Sequence, residues 1–160
     1  MNLVHVHLML THVPVLGVLF GTLVLLAAVP RRNDTLRRTA LVVFVIAGIA
    51  AWATYLTGEP AEHAVEHVPG ISEAIIDRHE DAALVATIGA TILGLIALAG
   101  LVLYRAGRAI ANGFAGLSLV AGIAVTALMI WTANLGGQIR HPEIRSGAQV
   151  VAPADSPDRD

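Results

Sequence analysis

The fold class this sequence predicts is all-α: an integral membrane four-helix bundle. Three observations lead there. Hydrophobic residues make up 56% of the chain and charged residues only 14%, where a soluble domain usually carries about a quarter charged. The apolar residues gather into four runs, each near the roughly 20 residues that a bilayer crossing needs. The connections between the runs are either short and basic or long and acidic, as alternating loops of a multi-span protein are.

The first run extends from about Val13 to Val29. Met1-Asn2-Leu3 carries no basic n-region, and Arg31 and Arg32 follow the run rather than precede it. This is the reverse of a cleavable signal peptide, so the run reads as a retained helix. Pro14 has no N–H to give the carbonyl of Leu10, so the helix either starts near Thr11, a suitable N-cap, or kinks there. If it continues upward, His5 and His12 share a face and His7 points away from them. Gly17 and Gly21 form a GxxxG pair that permits close helix approach.

The second span runs from about Thr39 to Thr57, the third from Ala82 to Tyr104 and the fourth from Ile110 to Leu135. Gly89, Gly94 and Gly100 on the third span and Gly113, Gly116 and Gly122 on the fourth offer close packing, or room for a flat cofactor. In the connection between spans two and three, Glu59 to His67 reads as a short amphipathic helix with Pro60 in its first turn. Pro69-Gly70 ends it, and Ser72 is placed to N-cap a third helix that begins well before the membrane. Gly136-Gly137 signals the end of the last helix and a return of the chain across the bundle mouth. One domain, residues 1–143, is expected, with a polar tail at 144–160.

Basic residues orient the bundle. Arg31, Arg32, Arg37, Arg38, Arg105 and Arg108 flank the two short connections, while the long one carries only Arg78. The positive-inside rule puts the short loops in the cytoplasm and both termini outside, against the smaller weight of Arg140 and Arg145. Trp52, Tyr55 and Trp131 fall near the outer span ends, where amphipathic rings settle. The expected location is the bacterial inner membrane, multi-pass, with the lipid bilayer as first partner.

All seven histidines then face outward, at the periplasmic end. His12 and His79 form the first candidate pair of axial ligands for a b-type haem, with His5, His7, His67 and His141 in reserve and Arg140 as a partner for a propionate. His63 and His67, four apart on the short helix, with Glu62 and Glu66 beside them and Glu59 nearby, form an alternative site for a transition metal such as Fe, Cu or Zn. No span carries a charge in its apolar middle, which argues against a proton pump or a charged-substrate transporter. There is no cysteine, no GxSxG turn and no HExxH helix, so thiol chemistry and the ordinary hydrolase signatures are absent. A net charge of −2 does not suggest nucleic acid.

His7-Leu8-Met9-Leu10-Thr11-His12-Val13-Pro14-Val15 resembles the opening of the DUF2231-type four-span membrane proteins, in which two histidines five apart precede a proline. Gly136-Gly137 followed by His141 is similar to that family's ending. Leu8 stands where the family usually has proline. The resemblance implies the four-span architecture and singles out His7, His12 and His141; it implies no reaction.

Three functions follow as expectations. The first is a redox or metal-binding membrane protein with a His-rich site at the outer end, in its leading form a b-type haem electron-transfer protein with a periplasmic partner. The second is a non-catalytic accessory subunit of a larger membrane complex. The third is a small cation carrier, for which Thr87, Thr91, Ser118 and Thr126 are the polar groups within the spans.

Overall fold

The structure, a computed structural model, describes residues 3–65, 68–105 and 107–145. Among the described residues five α-helices follow one another: α1 (Leu3–Arg31), α2 (Asp34–Leu56), α3 (Gly58–His63), α4 (Glu73–Leu103) and α5 (Asn112–Arg140), with a 3-10 turn at Pro142–Ile144. Four of them are long and apolar enough to cross a membrane. Each is longer than the roughly 20 residues that fill the hydrocarbon layer, so helix ends project beyond it.

α1 packs on α2, α2 on α4, α4 on α5 and α5 back on α1, which leaves α1 diagonal to α4 and α2 diagonal to α5. Short links between antiparallel neighbours give this up-and-down order. Small residues face inward (Ala47, Ala51, Ala86, Ala90, Ala97 and Ala115), while Leu16, Phe20, Ile49, Leu95, Val120 and Ile123 are exposed. In water that outer surface would aggregate; in lipid, which is as apolar as leucine, small inward residues let backbones approach and large outward ones meet acyl chains.

Phe44 is the largest fully buried side chain and fills the middle of the bundle. Glycines make its place: a Cβ on Gly21 would stand 2.7 Å from the Phe44 ring, and one on Gly122 3.0 Å from it. Gly100 does the same for Phe114. α2 and α4 touch backbone to backbone, since a Cβ on Gly48 would lie 2.9 Å from the carbonyl oxygen of Ala90. These glycines accommodate the protein's own rings and backbones. Gly113 and Gly116 face open space.

Three sequence expectations are corrected here. Thr11 caps nothing, because α1 runs unbroken through a buried Pro14. The physical reason is on α2: the Thr54 hydroxyl donates to the Leu10 carbonyl, 3.2 Å away, which Pro14 leaves without its helical donor. The Gly136-Gly137 pair does not end α5, which continues to Arg140. The link between α1 and α2 is only Arg32 and Asn33, so Arg37 and Arg38 belong to the helix and not to a loop. Asn33 N-caps α2 by accepting from Leu36 N at 3.0 Å. Ser72 takes the N-cap position of α4, as expected, without a side-chain cap bond. The short helix of the long connection spans Gly58–His63; Glu66 and His67, also assigned to it from sequence, lie outside the described residues, as does the tail beyond 145.

The end with the two short connections is an arginine end. Arg37 is buried and donates to the carbonyls of Ile110 (2.6 Å) and Val29 (3.3 Å) and to Asn112 Oδ1 (2.7 Å). Asp34 accepts from Ile110 N and from Arg38 Nε, both at 2.7 Å, and Arg38 also donates to the carbonyls of Tyr104 and Arg108. One helical turn of α2 thereby holds the end of α1, the end of α4 and the start of α5. The opposite end carries the start of α1, the end of α5, α3 and the described histidines.

Candidate functional site

Of the described candidate histidines, two turn into the bundle mouth. His7 comes from the projecting first turns of α1 and His79 from those of α4, the diagonal helices; both are half-buried. His7 Nδ1 lies 3.1 Å from the Thr54 carbonyl oxygen and 3.1 Å from Thr57 Oγ1 on α2. His79 Nδ1 lies 3.0 Å from the Thr132 carbonyl oxygen on α5. A carbonyl has no proton to give, so Nδ1 must donate in both rings. In the neutral tautomer that bond selects, Nε2 carries the lone pair.

Thr54 makes part of this arrangement possible. Its hydroxyl is spent on the Leu10 and Ala50 carbonyls, and its own carbonyl, in the last turn of α2, accepts from Thr57 N at 3.1 Å and from Thr57 Oγ1 at 2.8 Å, so that His7 and Thr57 share it. Gly136 makes another part: a Cβ there would stand 3.0 Å from His79 Cε1 and 3.3 Å from Nδ1. The glycine read from sequence as a helix terminator is the seat of the His79 ring. Thr54, Thr57, Thr132 and Gly136 escaped the sequence reading as site residues, because each is defined by its register against another helix. The one available signal was a glycine inside an apolar helical run, at the end where histidines gather.

The remaining described candidates stand at the same end but do not enter the mouth. His12 is exposed, and its Nδ1 turns back to the Leu8 carbonyl of its own helix at 2.8 Å. His5 is exposed on α1 as well. His63 is exposed, 3.9 Å from Glu59, and Glu62 is half-buried beside it on α3. His141, which ends α5, pairs with Glu143 Oε1 at 2.8 Å in solvent. That carboxyl is held below its ordinary value, first by the backbone amide of Glu143 itself and then by the His141 ring. Arg140 is exposed. Arg145, unassigned from sequence, donates to the carbonyls of Gln138 and Ile139 and so caps α5, and reaches the Gly70 carbonyl at 3.3 Å. Among the described residues, no group of three or more His, Cys, Asp or Glu gathers within reach of one metal ion.

Among the hydroxyls inside the spans, Ser118 Oγ is buried with no hydrogen-bond partner, while the threonines bond locally. Thr91 donates to the Thr87 carbonyl and accepts from Trp52, and Thr126 donates to the Gly122 carbonyl beside Thr22.

No curated protein and no solved structure matches the chain. Residues 4–142 match the family described as predicted membrane protein, DUF2231. That stretch takes in all four spans, the His7 to Val15 opening, His79 and the Gly136-Gly137 to His141 ending, and this multi-pass membrane protein therefore belongs to the DUF2231 family.

Proposed function

We propose that this membrane protein carries a transition-metal centre, as a bare ion or as haem iron, between His7 and His79, and uses it for electron transfer at the periplasmic face of the bacterial inner membrane. The observation that supports this reading is the shared anchoring of the two rings. Each gives Nδ1–H to a backbone carbonyl of a neighbouring helix, the outer-shell bond that ligating histidines almost always make, and each keeps Nε2 as the basic nitrogen. Neutral imidazole suits Fe, Cu and Zn. Two such ligands on diagonal helices leave the other positions of the centre to solvent, to haem nitrogens or to a partner's side chain.

His7 takes the place that the sequence gave to His12. The glycines beside Phe44 and Phe114 are already covered by those rings, so a haem would be held at the mouth by His7 and His79 rather than between the spans. The His63 and Glu62 pair on α3, with His67 and Glu66 following in sequence, is the second candidate site, and His63 is exposed there, 3.9 Å from Glu59.

The test is an absorption spectrum, oxidised and dithionite-reduced, of protein purified in mild detergent after expression with ample haem and metals, with metal analysis of the same sample. A Soret band with sharp reduced α and β bands assigns haem iron. Stoichiometric metal without those bands assigns a bare ion. Colourless, metal-free protein overturns the proposal and favours the accessory-subunit reading.

A further inference from the structure

The arginine end holds a second feature that the metal site does not use. Past the end of α4 the chain reverses at Gly107, whose φ of +79° suits glycine, and Arg105 and Arg108 flank one open cavity of about 390 Å³ with Val102 and Leu103. None of the lining side chains is acidic. The neighbouring arginines are committed elsewhere: Arg37 is buried against carbonyls, and Arg38 is held by Asp34 and by the carbonyls of Tyr104 and Arg108. Arg38 thus pins both ends of the turn while the guanidinium groups of Arg105 and Arg108 stay exposed. From the last turn of α4 to the turn beyond it the lining changes from apolar Val102 and Leu103 to cationic Arg105 and Arg108, in the order in which a phospholipid changes from acyl chain to phosphate.

We infer that this cavity binds one anionic phospholipid, its phosphate between Arg105 and Arg108 and the start of an acyl chain against Val102 and Leu103. Guanidinium forks match phosphate oxygens, and basic pockets at helix ends take acidic headgroups. A general surface potential would not discriminate between arginines of the same end; a built cavity does.

The test is native mass spectrometry of the full chain in mild detergent, titrated with phosphatidylglycerol or phosphatidylcholine, with inorganic phosphate as competitor. Wild type is expected to retain one phosphatidylglycerol in preference to phosphatidylcholine, and millimolar phosphate is expected not to displace it. Arg105→Gln/Arg108→Gln is expected to weaken retention by about thirtyfold, while Arg31→Gln/Arg32→Gln, with the same charge loss at the same end, keeps the selectivity. Equal retention of phosphatidylcholine by wild type overturns the inference, and so does displacement by phosphate, which would mark a free-anion site. Neither arm depends on a variant that folds. Equal loss in the two double variants also overturns it, in favour of a diffuse surface potential.

Discussion

Thr54 carries two tasks at residue scale: it satisfies the Leu10 carbonyl that Pro14 abandons, and its own carbonyl holds His7. Thr54→Val keeps the shape and removes the hydroxyl, so it should cost about 1 kcal/mol of stability in detergent unfolding. In a Pro14→Ala background, where residue 14 regains its N–H, the same change should cost nearly nothing. Full additivity in that cycle would show that the two groups do not share the Leu10 carbonyl. Glu143 gives a pH prediction. Its carboxyl is held below 4.5 by its own amide and by His141, so the contact persists above the ordinary glutamate value and is lost as pH falls through the lowered one. A side-chain carboxyl NMR titration with a midpoint under 4.5 is expected, and one at or above 4.5 would contradict the pairing. The histidine spacing was legible in the sequence as far as His7 pointing away from His5 and His12. Which of the two faces meets the bundle was not, since that depends on a hydroxyl contributed by another helix.

Between elements, the contact that sets the α2–α4 distance is Gly48 against the backbone of Ala90 and Gly94. A carbonyl oxygen cannot swing aside as a side chain can, so Gly48→Ala must part the helices. About 1–3 kcal/mol of destabilisation is expected. Gly113→Ala, facing open space, should lose nothing. Equal thermal midpoints for the two variants would refute the close approach. Four spans, their order and the early start of α4 at Ser72 were legible, because hydropathy and turn residues act locally. The Gly136-Gly137 ending was misread for a physical reason: glycine terminates a helix only where nothing else needs its missing Cβ, and here the His79 ring does. Likewise Arg37 and Arg38 looked like loop charges, yet they sit in the first turns of α2 because distant carbonyls accept their protons.

Taken whole, the molecule has two chemically distinct ends joined by an interior of small residues and one central phenylalanine. The arginine end locks three helix termini together, whereas the histidine end keeps two imidazoles poised on diagonal helices. The composition made the membrane class legible, but not the pairing across the mouth, which needed the register of α1 on α2 and of α4 on α5. On the proposed function, His7 and His79, and not His12, hold the metal. The most direct measurement is bound metal per protein for His7→Ala, His79→Ala and His12→Ala under identical loading. Since even outer-shell losses cost about 10–100-fold in metal affinity, His7→Ala and His79→Ala should each lose at least that much while His12→Ala retains the wild-type content. Loss of metal in His12→Ala with His7→Ala unaffected would contradict the account.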